Sequence, residues 1–148
     1  MKERELRAHV LDLLKNQNLA VLSTDRGGHP YASLVGFLAD DDLKFIYFVT
    51  TRATRKFDAL TSNPRVAMLI DNRSNTYGDF REAMAVTALG EAGEIEKAKH
   101  QDIVKAYVEK HPHLSDFISS PTSALVRIEV ETYYAVTRFQ QVMELHLK

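Results

Sequence analysis

The chain reads as a mainly β, α+β fold: an antiparallel barrel with appended helices. Three observations predict it. Short runs rich in Val, Ile, Leu, Phe and Tyr recur along the 148 residues, many joined by turn-sized polar breaks. Helical periodicity is confined to a few connections. No Pro- or Ser-rich linker interrupts the pattern, so residues 1–148 are expected to form a single domain.

The elements follow in order. Leu6, Val10, Leu13 and Leu14 recur at helical spacing, with Glu3, Arg4, Arg7, Asp12 and Lys15 on the other face. This predicts an amphipathic helix that lids the core. Residues 19–24 read as a buried strand, and Asp25-Arg26-Gly27-Gly28 as the turn into a strand over 31–37. Asp40-Asp41-Asp42 marks the next turn, before a strand over 44–49. A short helix should start at Thr54 and stop at Asn63-Pro64, because the residue before proline is pushed out of the helical region. Residues 66–71 resume a strand. Residues 72–80, polar and glycine-containing, predict an irregular excursion. A strand over 83–89 follows, with Gly90 marking a bulge or a close backbone approach. Ala98, Ile103, Ala106 and Tyr107 space a helix over 95–110 that ends before His111-Pro112, and a helical turn follows over 114–118. Leu125, Ile128 and Val130, then 133–139 and 142–147, supply the last strands.

Composition excludes several function classes. A net charge of −1 gives no field for nucleic acid or an anionic membrane. Zero cysteines rule out disulfides, thiolate metal sites and a cysteine nucleophile. The charged start, Met1-Lys2-Glu3-Arg4-Glu5, lacks an apolar signal core, and no stretch approaches spanning length, so a cytoplasmic protein is expected. The six histidines show no helical His-x-x-x-His spacing, and C-capping or surface roles suit His111 and His113 better than metal binding. Asp40-Asp41-Asp42 lacks the glycine and distal glutamate of a calcium loop. Ser23 and Ser33 have no identifiable His-Asp partners, and Tyr47, Tyr107, Tyr133 and Tyr134 read as half-buried packing residues.

The segment that carries chemistry runs from Phe45 through Val49, Thr50 and Thr51 to Arg55 and Lys56. An apolar, aromatic strand breaks into hydroxyls and cations just where a helix should begin. Unpaired N–H groups and a partial positive charge at a helix N-terminus suit a phosphate. Arg55 would add a bidentate fork and Lys56 a point charge. A solvated basic loop is the other reading of the same residues.

With its neighbours, this segment resembles the flavin-binding core of the pyridoxamine-phosphate-oxidase-like split barrels. Four pieces stand in the family's order: Leu19-Ala20-Val21-Leu22-Ser23-Thr24; His29 to Phe37 after a glycine turn; Phe45 to Lys56; and Asn63-Pro64-Arg65-Val66-Ala67-Met68-Leu69-Ile70-Asp71. The resemblance covers roughly residues 19–90. It implies a split β-barrel that binds FMN in a groove shared by two subunits of a homodimer. The strand of Ser33, Leu34, Val35 and Gly36 would run along the flavin, with Ser33 where the family often has a phosphate-binding arginine. Val49, Thr50 and Thr51 would touch the ring and ribityl chain, and Arg55 and Lys56 would hold the phosphate. A family glutamine near the ring falls at Ala85 here, so Arg73, Ser74 and Asn75 of the insertion Asn72-Arg73-Ser74-Asn75-Thr76 are expected to replace it; a flexible solvated loop is the alternative for these three. The arginine and histidine motif of the true vitamin B6 oxidases is not recognisable, so that reaction is not expected. The implied function is a flavoprotein that oxidises or reduces a small molecule, with a small-molecule substrate or electron donor as its partner. No catalytic acid or base is identifiable. Rivals are the same fold binding deazaflavin F420 or haem, or a flavin sensor or carrier without turnover.

Overall fold

A computed structural model describes residues 1–138 and 141–147. Its strands are β1 (Leu19–Arg26), β2 (His29–Ala39), β3 (Phe45–Thr51), β4 (Arg65–Asp71), β5 (Met84–Ile95), β6 (Ser123–Thr137) and β7 (Gln141–His146). The helices are α1 (Glu3–Asn16), α2 (Arg55–Ser62), α3 (Asp79–Glu82), α4 (Gln101–Lys110) and α5 (Ser115–Ser119). All pairings are antiparallel, in the order β3-β2-β1-β4-β5-β6-β7, and β3 also pairs with β6. That last pairing closes six strands into a barrel and leaves β7 as a flap.

Alternation builds the core. Ala20 and Leu22 on β1 and Val35, Phe37 and Ala39 on β2 face inward with Ile46, Phe48, Met68, Val86 and Val126. Leu6, Val10, Leu13 and Leu14 of α1 close the barrel as the helical spacing predicts. The 15 residues of β6 explain the split. Residues 123–129 pair with β3, whereas 132–137 pair with β7, so one strand leaves the barrel partway along.

Several boundaries differ from the sequence reading. β5 does not stop at 89 but runs to Ile95. The bulge expected at Gly90 is present: the register shifts between Leu89 and Gly90, and a Cβ there would lie 2.1 Å from the Glu129 carbonyl oxygen. Past the bulge, glycine and glutamate interrupt the apolar alternation, which hid the rest of the strand. The helix expected from 95 therefore begins at Gln101, after a 3-10 turn at Lys97–Lys99. The excursion after Asp71 contains the short α3, and the last strands are one continuous β6 followed by β7. The expected strand end at Phe139 lies outside the described residues.

Candidate functional site

β2 and β3 pair at only three positions, Phe37↔Phe48, Leu38↔Tyr47 and Ala39↔Ile46, and then part. The corner formed by α4 and α5 fills the gap. The Tyr107 hydroxyl donates to the Gly36 carbonyl at 2.9 Å, and the Val49 N–H donates to the same phenol oxygen. One side chain thus replaces the missing ladder between the diverging strands. Burial pushes the Tyr107 phenol up to about 12, against the pull of the Val49 amide. Next to it, the buried His111 ring has Nε2 2.8 Å from the Phe37 carbonyl, so Nε2 carries the proton and donates. Burial lowers the His111 pKa, which keeps the ring neutral at pH 7.

A groove of about 490 Å³ opens beside this stitch. Leu34, Val35 and Gly36 of β2 line one side, Val49, Thr50 and Thr51 of β3 another, and Thr54 and Lys56 one end. Tyr107, His111, His113, Leu114 and Phe117 close the remainder.

The sequence dictates the polar end. Thr54 is extended, and its hydroxyl accepts the Phe57 N–H at 3.3 Å, donates to the Thr51 carbonyl at 2.8 Å and lies 3.2 Å from the Thr50 hydroxyl. The amides of Arg55 and Lys56, first in α2, have no hydrogen-bond partner among the described residues, as a helix start requires. Of the three nearby cations, Arg52 is taken by Glu94 and the Pro121 carbonyl. Arg55 and Lys56 have no ion pair among the described residues. Asp58, the acid in the first turn, is neutralised by Arg26. The corner is left with net positive charge and two vacant donors.

Other expected site residues fall elsewhere. Arg55 is exposed at the margin rather than on the groove wall. Ser33 pairs with Leu22, so it shares the inward face of Val35 and Phe37; its hydroxyl is buried and makes no hydrogen bond among the described residues. Arg73 and Asn75 line a separate groove of about 670 Å³, with Leu69, Asp71, Tyr77, Phe80, Ala85 and Val136. Ser74 donates to Asp79 from both its hydroxyl and its amide. Within one chain these three are not brought to the first groove. The structure adds what sequence reasoning missed: the wall from α4 and α5. Tyr107 had read as packing and His111 as a cap, and nothing local marked either as facing β2. Gly36 is explained by that wall, since a Cβ there would lie 3.4 Å from His111, Leu114 and the Tyr107 hydroxyl. Among the described residues, no three His, Asp or Glu side chains form a metal cluster, and no helix is long and apolar enough to cross a membrane.

A family model described as pyridoxamine 5'-phosphate oxidase matches residues 6–137. General stress protein 26 of Bacillus subtilis (strain 168) is 28% identical over 79 residues, 53% of this chain and 55% of that protein. The match thus spans about half the length of that curated relative. The solved heme binding protein from Mycobacterium smegmatis superposes with a TM-score of 0.81 at 17% identity, over 95% of this chain and 57% of that one. General Stress Protein 26 from Bacillus anthracis str. Sterne does so with a TM-score of 0.76 at 20% identity, over 97% and 99% of the two chains. At these identities the superpositions establish the fold.

Proposed function

Because this chain belongs to the pyridoxamine 5'-phosphate oxidase family, its model matching residues 6–137, we propose that it is an FMN-binding flavoprotein acting as a small-molecule oxidoreductase. The carrying observation is the corner at the start of α2. Two unpaired amides, a neutralised Asp58 and the uncommitted Arg55 and Lys56 make a phosphate site at the mouth of a groove. Thr51 offers a hydroxyl beyond it, where a ribityl chain would need partners, while the Thr50 and Thr54 hydroxyls are engaged with each other and with the Thr51 carbonyl and shape that end of the groove. The stretch along Leu34 to Gly36 is apolar, as an isoalloxazine face requires. The donor set therefore fits FMN.

Bound there, FMN would supply the electron transfer. The chain's own residues anchor the phosphate, orient the ring between β2 and the α4–α5 corner, and exclude water with Leu114 and Phe117. Arg73 and Asn75 could reach that ring only from a second copy. A partly exposed apolar row supports such a homodimer: Leu34, Val21 and Leu69 are in register across β2, β1 and β4, with Leu34 65% and Leu69 36% exposed and Val21 half-buried between them. The row runs from the first groove to the second, so a copy seated on it would face one groove toward the other.

Haem is the second reading, favoured by the exposed His113 imidazole on the groove wall and by the heme binding neighbour. Mass spectrometry of the molecule released from denatured protein separates the two. Charge-assisted bonds contribute about 1.5–3 kcal/mol each. Arg55→Ala with Lys56→Ala should thus weaken FMN binding about a hundredfold or more and leave riboflavin, which lacks the phosphate, unchanged. Wild-type FMN affinity in the double variant would remove the phosphate from this corner.

A further inference from the structure

Three side chains fasten the α4–α5 corner to the barrel, and they differ in how they meet acid. The Tyr107 phenol, donating to the Gly36 carbonyl at 2.9 Å, stays neutral. Lys110 lies 4.1 Å from the centre of the Phe37 ring and donates to the Leu14 carbonyl at 3.1 Å, and acid keeps it charged. His111 alone changes state. Its ring is 2% exposed and docks as the neutral form, donating from Nε2 to the Phe37 carbonyl at 2.8 Å.

A proton added to that ring finds no compensation. The charges that act on it are those of Lys110 and His113, both of like sign. β2 offers only backbone there, at Gly36 and Phe37, and α4 offers the uncharged Tyr107 ring at 4.9 Å. The 3-10 turn Pro112–Leu114 supplies His113 and the apolar Leu114, and α1 brings Lys15 toward Lys110. No carboxylate forms an ion pair with Lys110, His111 or His113 among the described residues. An imidazolium held here gains by leaving for water.

Burial already holds the ring below its ordinary value of 6.5, against the pull of the Phe37 carbonyl. Below 6.5 the free ring therefore takes up a proton that the docked ring refuses, so acid favours the undocked corner. Undocking can stay local, because β3 remains paired with β6 from Phe45↔Glu129 to Thr51↔Ser123 without the corner. What it removes is the groove wall of Tyr107, His111, Leu114 and Phe117.

We propose that the α4–α5 corner is an acid-opened latch on the groove: protonation of His111 detaches it from β2 and lets the bound ligand leave. Ligand release rests on the flavin reading of the groove; the opening itself does not. Opening is read on the full chain without flavin, from hydrogen-exchange protection of the Val49 amide, whose partner is the Tyr107 phenol. Between about pH 7.5 and 5.5 that protection should fall about threefold or more, with a ceiling of about tenfold set by the free imidazole. Amides of the β3–β6 ladder should keep theirs. His111→Gln, which retains an N–H donor and cannot be charged, should abolish the acid step, and His113→Gln should keep it. Should His111→Gln not fold, the wild-type His111 ring resonances decide, since they must titrate together with the loss of Val49 protection. Release is read with riboflavin, which has no phosphate to titrate in this range, and its dissociation should quicken by the same factor as the opening. Opening without any riboflavin binding would keep the latch and remove the flavin reading. An acid step that persists in His111→Gln, parallel loss across the β3–β6 ladder, constant Val49 protection, or riboflavin release indifferent to pH would each overturn the proposal.

Discussion

Tyr107→Phe removes one oxygen from the seam where β2 and β3 part. The ring is 1% exposed and packs 4.9 Å from His111, and phenylalanine preserves both features. What is lost is the donor to the Gly36 carbonyl and the acceptor of the Val49 N–H. Each is a main-chain group at a place where no neighbouring strand can replace the partner. A buried polar group left unsatisfied costs about 1–3 kcal/mol, and part of that returns if water enters from the groove. A loss of about 1–3 kcal/mol is therefore expected. With an unfolding entropy of about 0.3 kcal/mol/K for 148 residues, the melting temperature should fall by about 3–10 °C. Urea unfolding should show a lower midpoint with an unchanged slope, because the surface exposed on unfolding is the same. FMN affinity should fall too, since Gly36 and Val49 line the groove. Wild-type midpoints would show that the hydroxyl bridge carries no load and that packing alone holds the seam.

Other outcomes follow from single contacts. Gly90→Ala places a methyl 2.1 Å from a backbone oxygen and should cost more than about 1–3 kcal/mol by urea unfolding, whereas Gly93→Ala, with nothing within 4 Å, should not destabilise by clash. Thr54→Ala removes the α2 cap, should cost about 1 kcal/mol, and should also weaken FMN binding in titrations. Lys110 lies over the Phe37 ring and donates to the Leu14 carbonyl; burial pushes its pKa down to about 8. The unfolded chain therefore binds more protons than the folded one between that value and the ordinary 10.5, so this lysine makes stability rise with pH above 8. Lys110→Met should flatten the rise between pH 8 and 10 in thermal melts, and an unchanged slope would refute the assignment.

The fold was legible where one period ran uninterrupted. Leu6, Val10, Leu13 and Leu14 announced α1 because one face of that helix is buried, and the continuous apolar run after Lys44 announced β3 because that strand is buried on both faces from Ile46 to Thr50. Legibility failed where packing overrides local pattern. β5 beyond Gly90 is held by pairing with β6, from Gly90↔Val130 to Ile95↔Leu125, information that no window around residue 93 contains. The polar end of the candidate site was legible for a local reason: cap, cations and strand end are contiguous from 49 to 56. Its far wall was not, because Tyr107 and His111 reach β2 across about 70 residues of chain. Arg73 and Asn75 stood out in the sequence as a polar set, yet their place in a second groove depends on how Asp79 folds the excursion back.

That a groove and an anion corner meet at this seam follows from the way β3 is used. Residues 49–51 spend one edge on β6, through Val49↔Leu125, Thr50↔Ala124 and Thr51↔Ser123. The other edge has lost β2, and the α4–α5 corner covers only part of it. The chain then turns within three residues into α2, so the vacant amides of Arg55 and Lys56 arrive at the end of the uncovered edge. A strand that stayed paired through residue 51 would leave neither groove nor donors in reach of one ligand. The site is thus a consequence of barrel closure: β6 draws β3 away from β2, and whatever binds there must be long enough to run from the helix start to the α4–α5 wall. A phosphate alone should bind weakly and riboflavin alone moderately. FMN should bind far more tightly than either, because only FMN engages both ends.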